Sequence, residues 1–260
     1  MKSKIAEAIN LSKYSPVAIV FTDEKPEGAL QFKEGVWGCV VAMLKAAAKG
    51  RTAVFDRKTC GCIGGGAGLC FGNTYVGFPG GIEYFLSVGN KEFCDSEIGK
   101  NIVKNMPALS HGEAYKKSPE FAKSFADALP YYDIPNEYVV FKPLEKILPG
   151  EKPEVVVFLA APDQISALVV LANYGRHGGD NVIVPWGAGC HSVCLIPFNE
   201  GNSDNPRGVI GLTDISARKQ VEKDILSFSV PYKMFLEMES NVEESFLTRE
   251  EWLKIKERNK

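Results

Sequence analysis

The sequence predicts an α/β (or α+β) fold in which helices pack on a mixed β-sheet. Short apolar runs rich in β-branched residues alternate with segments of helical period, and this order of elements is typical of α/β proteins. Of the 260 residues, 45% are hydrophobic and 24% are charged, as in globular proteins with a sizeable core. We therefore predict a single domain over residues 1–260.

The first half of the chain begins with clear helix and strand patterns. Residues 3–11 predict a short helix, and the apolar run Val17–Phe21 predicts a buried strand. Apolar residues at helical spacing predict a helix over Val36–Ala48, which Gly50 would cap. A strand over Thr52–Phe55 is predicted next, and a stretch rich in glycine and cysteine follows it.

Patterns are weaker in the middle of the chain and return in the second half. Ser118 before Pro119 is typical of a helix start. Thr248 and Glu251 have the spacing of a capping box. The predicted strands are 138–141, 155–159, 181–184, 209–212 and 226–230, and the predicted helices are 163–173, 188–194 and 248–258.

The two halves share an order of elements, which suggests a repeat over residues 12–75 and 150–200. In each segment a strand, a helix, a Gly-Arg pair and a second strand lead to a loop with a cysteine. These cysteines are Cys60 and Cys190. Any α/β chain can give such a match, so a chance resemblance stays open. A true repeat would place a site between the halves.

Charge and hydropathy narrow the range of partners. The 30 Lys and Arg residues nearly balance the 32 Asp and Glu residues, which argues against non-specific nucleic-acid binding. The apolar runs are too short to span a membrane, and the first residues lack the apolar region of a signal peptide. We expect a cytoplasmic protein with a small-molecule or redox partner, and homo-oligomer formation stays open.

Seven cysteines carry the strongest chemical signal in the sequence. In a reducing compartment cysteines serve metal or redox chemistry more often than disulfides. Cys60 and Cys62 form one group with Cys70, while Cys190 and Cys194 form a second. We predict Cys60, Cys62 and Cys190 as metal ligands, with Cys194 or Cys70 completing the set.

The glycines around these cysteines favour an iron–sulfur cluster over zinc. Gly64 and Gly65 lie in a run whose unhindered N–H groups could bind the sulfurs of a cluster. Structural zinc sites usually have cysteine pairs separated by two to four residues, and Cys190 with Cys194 is the pair that fits. We expect a 4Fe-4S cluster and keep zinc as the alternative metal.

Packing roles compete with metal binding for several cysteines. Cys39, Cys70 and Cys194 could each be a small buried hydrophobic residue. We favour packing for Cys39, which would lie on the apolar face of the helix predicted from Val36. Cys94 stands in a polar stretch and is predicted as a surface thiol.

A binding site without metal is the second hypothesis. Gly64 and Gly65 could hold an anionic metabolite through their N–H groups, together with a bidentate contact from Arg218. The run lacks the Lys-Ser/Thr ending of a P-loop. His191 lies beside Cys190, so it could be a ligand or a proton carrier.

Short motifs across nearly the whole chain resemble the domain of unknown function 169 family. They are Ser15–Ile19, Cys39 with Ala46–Gly50, Cys62–Gly66 with Leu69, Pro153–Val155, the loop around Cys190, and Ser227–Tyr232. The resemblance maps the Cys-x-Gly-Gly element of the family onto Cys62, Gly64 and Gly65. Cys70 replaces an expected glycine, and Asp214 lies where relatives carry cysteine, which implies a ligand set of this chain's own. The family implies no settled reaction, and its occurrence in anaerobes suits an oxygen-sensitive cluster.

The sequence thus predicts an iron–sulfur protein whose cluster is held by cysteines from two glycine-rich loops. Such a cluster would serve electron transfer, or it would bind a small substrate at an open iron. The alternatives are an anionic-metabolite binding module and a structural zinc protein. Whether the protein is an enzyme stays open at this stage.

Overall fold

A seven-stranded mixed sheet forms the centre of the fold, and its strand order is β2-β3-β1-β4-β7-β6-β5. The structure is a computed structural model that describes residues 1–258. The strands are β1 (Val17–Thr22), β2 (Ala53–Phe55), β3 (Tyr138–Pro143), β4 (Val155–Ala160), β5 (Val182–Ile183), β6 (Gly208–Gly211) and β7 (Leu226–Pro231). Each pair of neighbours is antiparallel except β5 and β6, which are parallel. The predicted mixed sheet with packed helices is confirmed.

Thirteen α-helices occur within residues 1–258. They are α1 (Lys4–Ala8), α2 (Val40–Ala48), α3 (Ile63–Gly68), α4 (Ile82–Phe85), α5 (Lys91–Asp95), α6 (Glu97–Val103), α7 (Ala108–His111), α8 (Pro119–Asp127), α9 (Pro162–Tyr174), α10 (Ile196–Gly201), α11 (Ile215–Arg218), α12 (Tyr232–Asn241) and α13 (Glu250–Glu257). A π-helix over His191–Leu195 runs directly into α10. None of the helices in the described chain has the length and apolar character needed to cross a bilayer.

Contacts group the chain into two compact units. The first unit, Met1–Cys70 with the chain from Ile134 onwards, contains the sheet and eight of the helices. The second unit, Phe71–Asp133, contains α4 to α8. A bridge between Phe71 and Asp133 joins the two ends of this second unit. One domain over the whole chain stays a prediction, because compactness alone does not show which segments fold independently.

The main core of the first unit lies between one face of the sheet and the helices α1, α9, α12 and α13. Phe158 and Phe228 project into it from adjacent strands and pack with Leu168 and Phe235. Alternate residues of β7, such as Ser227, point to the opposite face. A Cβ on Gly211 would lie 2.8 Å from Ser227 Oγ and 2.0 Å from Ser192 Oγ, so the π-helix covers that face.

The sheet order can be compared with the proposed repeat. β1 and β4, the first strands of the two proposed segments, are antiparallel neighbours, with Ala18 opposite Val156. β3 and β7 flank this pair, and β2 and β6 lie outside them. The second strands of the two proposed segments, β2 and β5, do not take equivalent places, because one strand separates β2 from β1 and two strands separate β5 from β4. The repeat therefore stays a prediction.

Several element boundaries differ from the prediction. α2 begins at Val40 and not at Val36, because the chain up to Gly38 forms a loop in which Gly35 has a φ of +73°. The predicted helix over 188–194 begins at Gly189 and takes π-helical form from His191. The predicted capping box is wrong, because the N-cap of α13 is Arg249 and Thr248 belongs to a preceding 3-10 turn.

Candidate functional site

Cys62 caps the N-terminus of α3 with its side chain. Its Sγ accepts a hydrogen bond from the N–H of Gly65 at 3.3 Å. The N–H of Gly64 and the indole of Trp37 also donate to this sulfur. Three donors therefore converge on one sulfur atom, and such donors stabilise negative charge on a thiolate.

The glycines of α3 allow Cys190 to pack directly against this helix. A Cβ on Gly68 would stand 2.7 Å from both Cβ and Sγ of Cys190. The Cys190 thiol donates to the carbonyl oxygen of Gly64 at 2.9 Å. Glycine is a poor helix former, and the close approach of Cys190 explains the glycine at position 68.

Cys60 lies on the turn that leads into α3. The N–H of Thr59 donates to Asp56 Oδ1 at 2.7 Å and fixes this turn. The Cys60 thiol points back to the carbonyl oxygen of Cys62 at 3.8 Å. A Cβ on Gly61 would lie 3.0 Å from the carbonyl oxygen of Val36, so this turn packs on the loop that precedes α2.

Cys39 joins this group as the N-cap of α2. Its thiol interacts electrostatically with the thiols of both Cys62 and Cys190. Cys60 likewise interacts with Cys62 and Cys190. Four thiols from three separate segments therefore come within electrostatic range around Cys62 and Cys190, and we call Cys39, Cys60, Cys62 and Cys190 the thiol group.

Burial favours the protonated form of three of these thiols, those of Cys60, Cys62 and Cys190. Burial raises the pKa of Cys60 to about 12 and also raises the pKa values of Cys62 and Cys190. The neighbouring thiols contribute to each rise, because ionising one would place its charge near another. Neutral thiols are poor nucleophiles, and a cation that binds them displaces their protons.

Cys70 and Cys194 form a separate pair. Cys70 follows α3 with a φ of +63°, and Cys194 lies on the π-helix. Both residues are fully buried, and their thiols are hydrogen-bonded to each other. The structure therefore directs the two proposed completing ligands toward one another, although Cys194 also interacts electrostatically with Cys190.

Asp214 fastens the loop that carries Cys190. Its Oδ2 accepts from the N–H of Gly189 at 3.2 Å, and its Oδ1 accepts from the N–H of Ser216 at 3.0 Å. Asp214 is buried and lies within electrostatic range of Cys190. Its carboxylate therefore holds the backbone beside Cys190 in place.

The histidine beside Cys190 is neutral at physiological pH. His191 is fully buried, and burial lowers its pKa to about 4. A Cβ on Gly187 would lie 3.0 Å from Nδ1 of His191, so the loop before Cys190 packs against the ring.

Arg218 binds backbone carbonyl oxygens within its own segment. Its guanidinium donates to Glu222 O at 3.0 Å, to Lys223 O at 2.8 Å and to Ile225 O. This contact closes the turn between α11 and β7. An anion bound by Arg218 would compete with these carbonyl groups, and the anion-binding role of Arg218, Gly64 and Gly65 stays a prediction.

Two cysteines occupy places that the sequence patterns did not indicate. Cys39 does not lie on a helix face, because α2 starts one residue after it. Trp37-Gly38 stands directly before Cys39, whereas Ala188 and Gly189 separate Trp186-Gly187 from Cys190, so no repeated spacing marks Cys39. Cys94, predicted on the surface, is buried within the second unit.

The side chains within residues 1–258 do not form a ready-made site for a single metal ion. Among residues 1–258, no three His, Cys, Asp or Glu side chains are placed to hold one ion. Sulfurs around a single zinc stand about 3.8 Å apart, given a Zn–S distance of about 2.3 Å. All seven cysteines are free thiols in the structure.

One of three comparisons with known proteins gives a match. Residues 4–241 match the model of the family DUF169, described as Uncharacterised ArCR. No curated protein matches the chain significantly. No solved structure matches it significantly either.

Proposed function

We propose that this chain, which belongs to the DUF169 family, is an iron–sulfur protein that holds its cluster through Cys60, Cys62 and Cys190. One observation carries the proposal. Thiols that are 128 residues apart in the sequence, at positions 62 and 190, are neighbours on the glycine-rich helix α3. Thiolates are the usual ligands of iron–sulfur clusters, and their gathering from distant segments is typical of such sites.

The residues present suit a cluster in their donor chemistry. Cys62 receives hydrogen bonds from Gly64, Gly65 and Trp37, and such bonds to ligating sulfurs tune the potential of a cluster. The thiols are neighbours without being grouped around one point. A cluster of several iron and sulfide ions is wider than one zinc ion, so it does not require the thiols to converge on one point.

The buried and protonated state of these thiols fits a role as cofactor ligands better than a role as catalytic nucleophiles. Cys190 is buried, and its thiol donates to a carbonyl oxygen only 2.9 Å away. The raised pKa values of Cys60 and Cys190 make these thiols poor nucleophiles for catalysis. When bound, an iron–sulfur cluster supplies one-electron transfer, and the surrounding N–H groups would stabilise its negative charge.

The proposed setting is the cytoplasm of a cell with low oxygen. The free thiols suit a reducing compartment, in which disulfides are rare. The near-neutral charge gives no basis for nucleic-acid binding, so we propose a small molecule or a redox protein as the partner.

Purification without oxygen tests the proposal. We expect brown protein with charge-transfer absorption at roughly 400 nm. Cys62→Ala and Cys190→Ala should abolish this absorption, whereas Cys94→Ala, in the second unit, should retain it. A colourless wild-type protein without iron would refute the proposal, and stoichiometric zinc in its place would establish the zinc alternative.

A further inference from the structure

Cys39 stands out among the remaining cysteines by its backbone conformation as well as by its position. Cys39 and Cys62 are both N-caps with nearly the same extended conformation, at φ −94°, ψ 123° and φ −95°, ψ 114°. The Cys62 sulfur accepts a capping hydrogen bond from Gly65, whereas the Cys39 side chain makes no capping hydrogen bond. The Cys39 sulfur is therefore not committed to its own helix.

The loop before α2 brings two groups, the indole of Trp37 and the thiol of Cys39, toward the sulfur of Cys62. This loop packs on Gly61, where a Cβ would lie 3.0 Å from the carbonyl oxygen of Val36. The next residue, Trp37, donates its indole N–H to Cys62. Cys39 then follows and interacts electrostatically with Cys62 and Cys190. The loop thus supplies both a hydrogen-bond donor and a thiol to the neighbourhood of Cys62.

The other cysteines of the first unit are engaged elsewhere. Cys70 and Cys194 are fully buried and hydrogen-bonded to each other. Cys39, Cys60 and Cys62 are half-buried, so the thiol group reaches the protein surface on one side. A cluster at the thiol group could therefore enter from solvent, whereas the Cys70–Cys194 pair lies deeper.

Asp214 is the other group near Cys190 that could complete a ligand set. Its two carboxylate oxygens accept hydrogen bonds from Gly189 and from the N–H and hydroxyl of Ser216. Binding iron would compete with these contacts and would release the loop that carries Cys190. Asp214 is better suited to positioning that loop.

We propose that Cys39 is the fourth thiolate ligand, so that Cys39, Cys60, Cys62 and Cys190 together hold the cluster. This inference rests on the proposed iron–sulfur function and goes beyond it in one respect. Four thiolates complete the coordination of a 4Fe-4S cluster and leave no iron open to a substrate. The site then transfers electrons between redox partners and does not act as a Lewis acid.

Iron and sulfide analysis of variants purified without oxygen tests this assignment. Wild type should hold about four iron and about four sulfide ions per chain. Cys39→Ala should lose at least one iron per chain, whereas Cys70→Ala and Cys194→Ala should retain the wild-type iron content. Full iron content in Cys39→Ala would overturn the assignment, and so would loss of one iron in Cys70→Ala or Cys194→Ala with full iron content in Cys39→Ala.

Alkylation of the wild-type protein gives a second test that does not depend on how the variants fold. With the cluster bound, the half-buried thiols of Cys39, Cys60 and Cys62 should resist iodoacetamide, and removal of iron with a chelator should expose them. Equal labelling of Cys39 before and after iron removal would overturn the assignment while leaving the iron–sulfur proposal intact. Wild-type protein without iron would instead overturn the proposed function, and the assignment with it.

Discussion

Gly68 lies so close to Cys190 that a Cβ at its position would stand 2.7 Å from the Cys190 sulfur and 2.8 Å from the Cys190 carbonyl carbon. The second contact involves backbone, which cannot rotate away as a side chain can. The absence of a side chain at Gly68 thus allows α3 and the Cys190 loop to meet.

Gly68→Ala should therefore separate Cys190 from α3. The substitution would gain up to about 1 kcal/mol of helix propensity, but overpacking of this kind costs about 1–3 kcal/mol and moves the backbone. We expect lower stability in urea unfolding together with reduced iron content. Gly179→Ala is the control, because a Cβ at Gly179 meets nothing within 4 Å. Wild-type iron content in Gly68→Ala would show that this close approach is not needed.

Trp37→Phe should make the reduction potential of the bound cluster more negative. Trp37 is 61% exposed, yet its indole donates to the Cys62 sulfur. A donor at a ligating sulfur stabilises the more negative, reduced state, so its loss disfavours reduction. Anaerobic redox titration measures the midpoint potential.

Val36→Ala is the matched control for this change, because Val36 is the exposed neighbour of Trp37 and its side chain offers no donor. We expect this variant to keep the wild-type potential. The same potential in Trp37→Phe and Val36→Ala would contradict the tuning role of the indole.

Arg218→Ala should destabilise the fold and leave the cluster in place. The guanidinium binds the carbonyl oxygens of Glu222, Lys223 and Ile225, and charged hydrogen bonds of this kind contribute about 1.5–3 kcal/mol. Urea unfolding should show a loss of this size, whereas Lys219→Ala, at an exposed neighbour, should show little change. Unchanged stability with weakened binding of an anionic metabolite would instead support the anion-binding hypothesis.

The stability that Glu222 contributes should disappear in acid. The hydroxyl of Tyr14 and the ammonium of Lys45, at 3.1 Å, bind this carboxylate. They lower the pKa of Glu222 to about 2, and the hydrogen bond from Tyr14 is the largest cause. Because an unfolded Glu has a pKa of about 4.3, this contribution is complete above about pH 5 and is lost as the pH falls toward 2.

Urea unfolding of Glu222→Gln at two pH values measures that contribution. At pH 7 we expect the variant to be less stable than wild type by about 1–2 kcal/mol, since the carboxylate is partly exposed. Near pH 2.5 the difference should be much smaller. Glu243→Gln, which breaks an exposed ion pair with Lys4, should show little effect at either pH. The same difference in unfolding free energy between wild type and Glu222→Gln at both pH values would contradict this account.

The strands were predictable from the sequence because their apolar, β-branched residues favour an extended backbone over a helix. β4 consists of six buried residues, Val155–Ala160, and its apolar, β-branched run has no helical period. α3 was not predictable, since its glycine-rich sequence has low helix propensity and the helix depends on contact with a distant cysteine. Short helices such as α4 and α7, of four residues each, have too few residues to show a period.

The candidate site was predictable in part. Local glycine and cysteine spacing indicated Cys60, Cys62 and Cys190, which the structure places together. The position of Cys39 depends on where α2 begins, and the apolar residues before Val40 extended the helical pattern across the loop. The pairing of Cys70 with Cys194 depends on tertiary packing between α3 and the π-helix, which has no counterpart in local sequence.

Direct quantification of iron and acid-labile sulfide in the wild-type protein, isolated under nitrogen, bears most immediately on the proposed cofactor. The account predicts about four of each ion per chain. Protein that is folded and monodisperse but contains only traces of both, even after incubation with ferrous iron and sulfide, would contradict it.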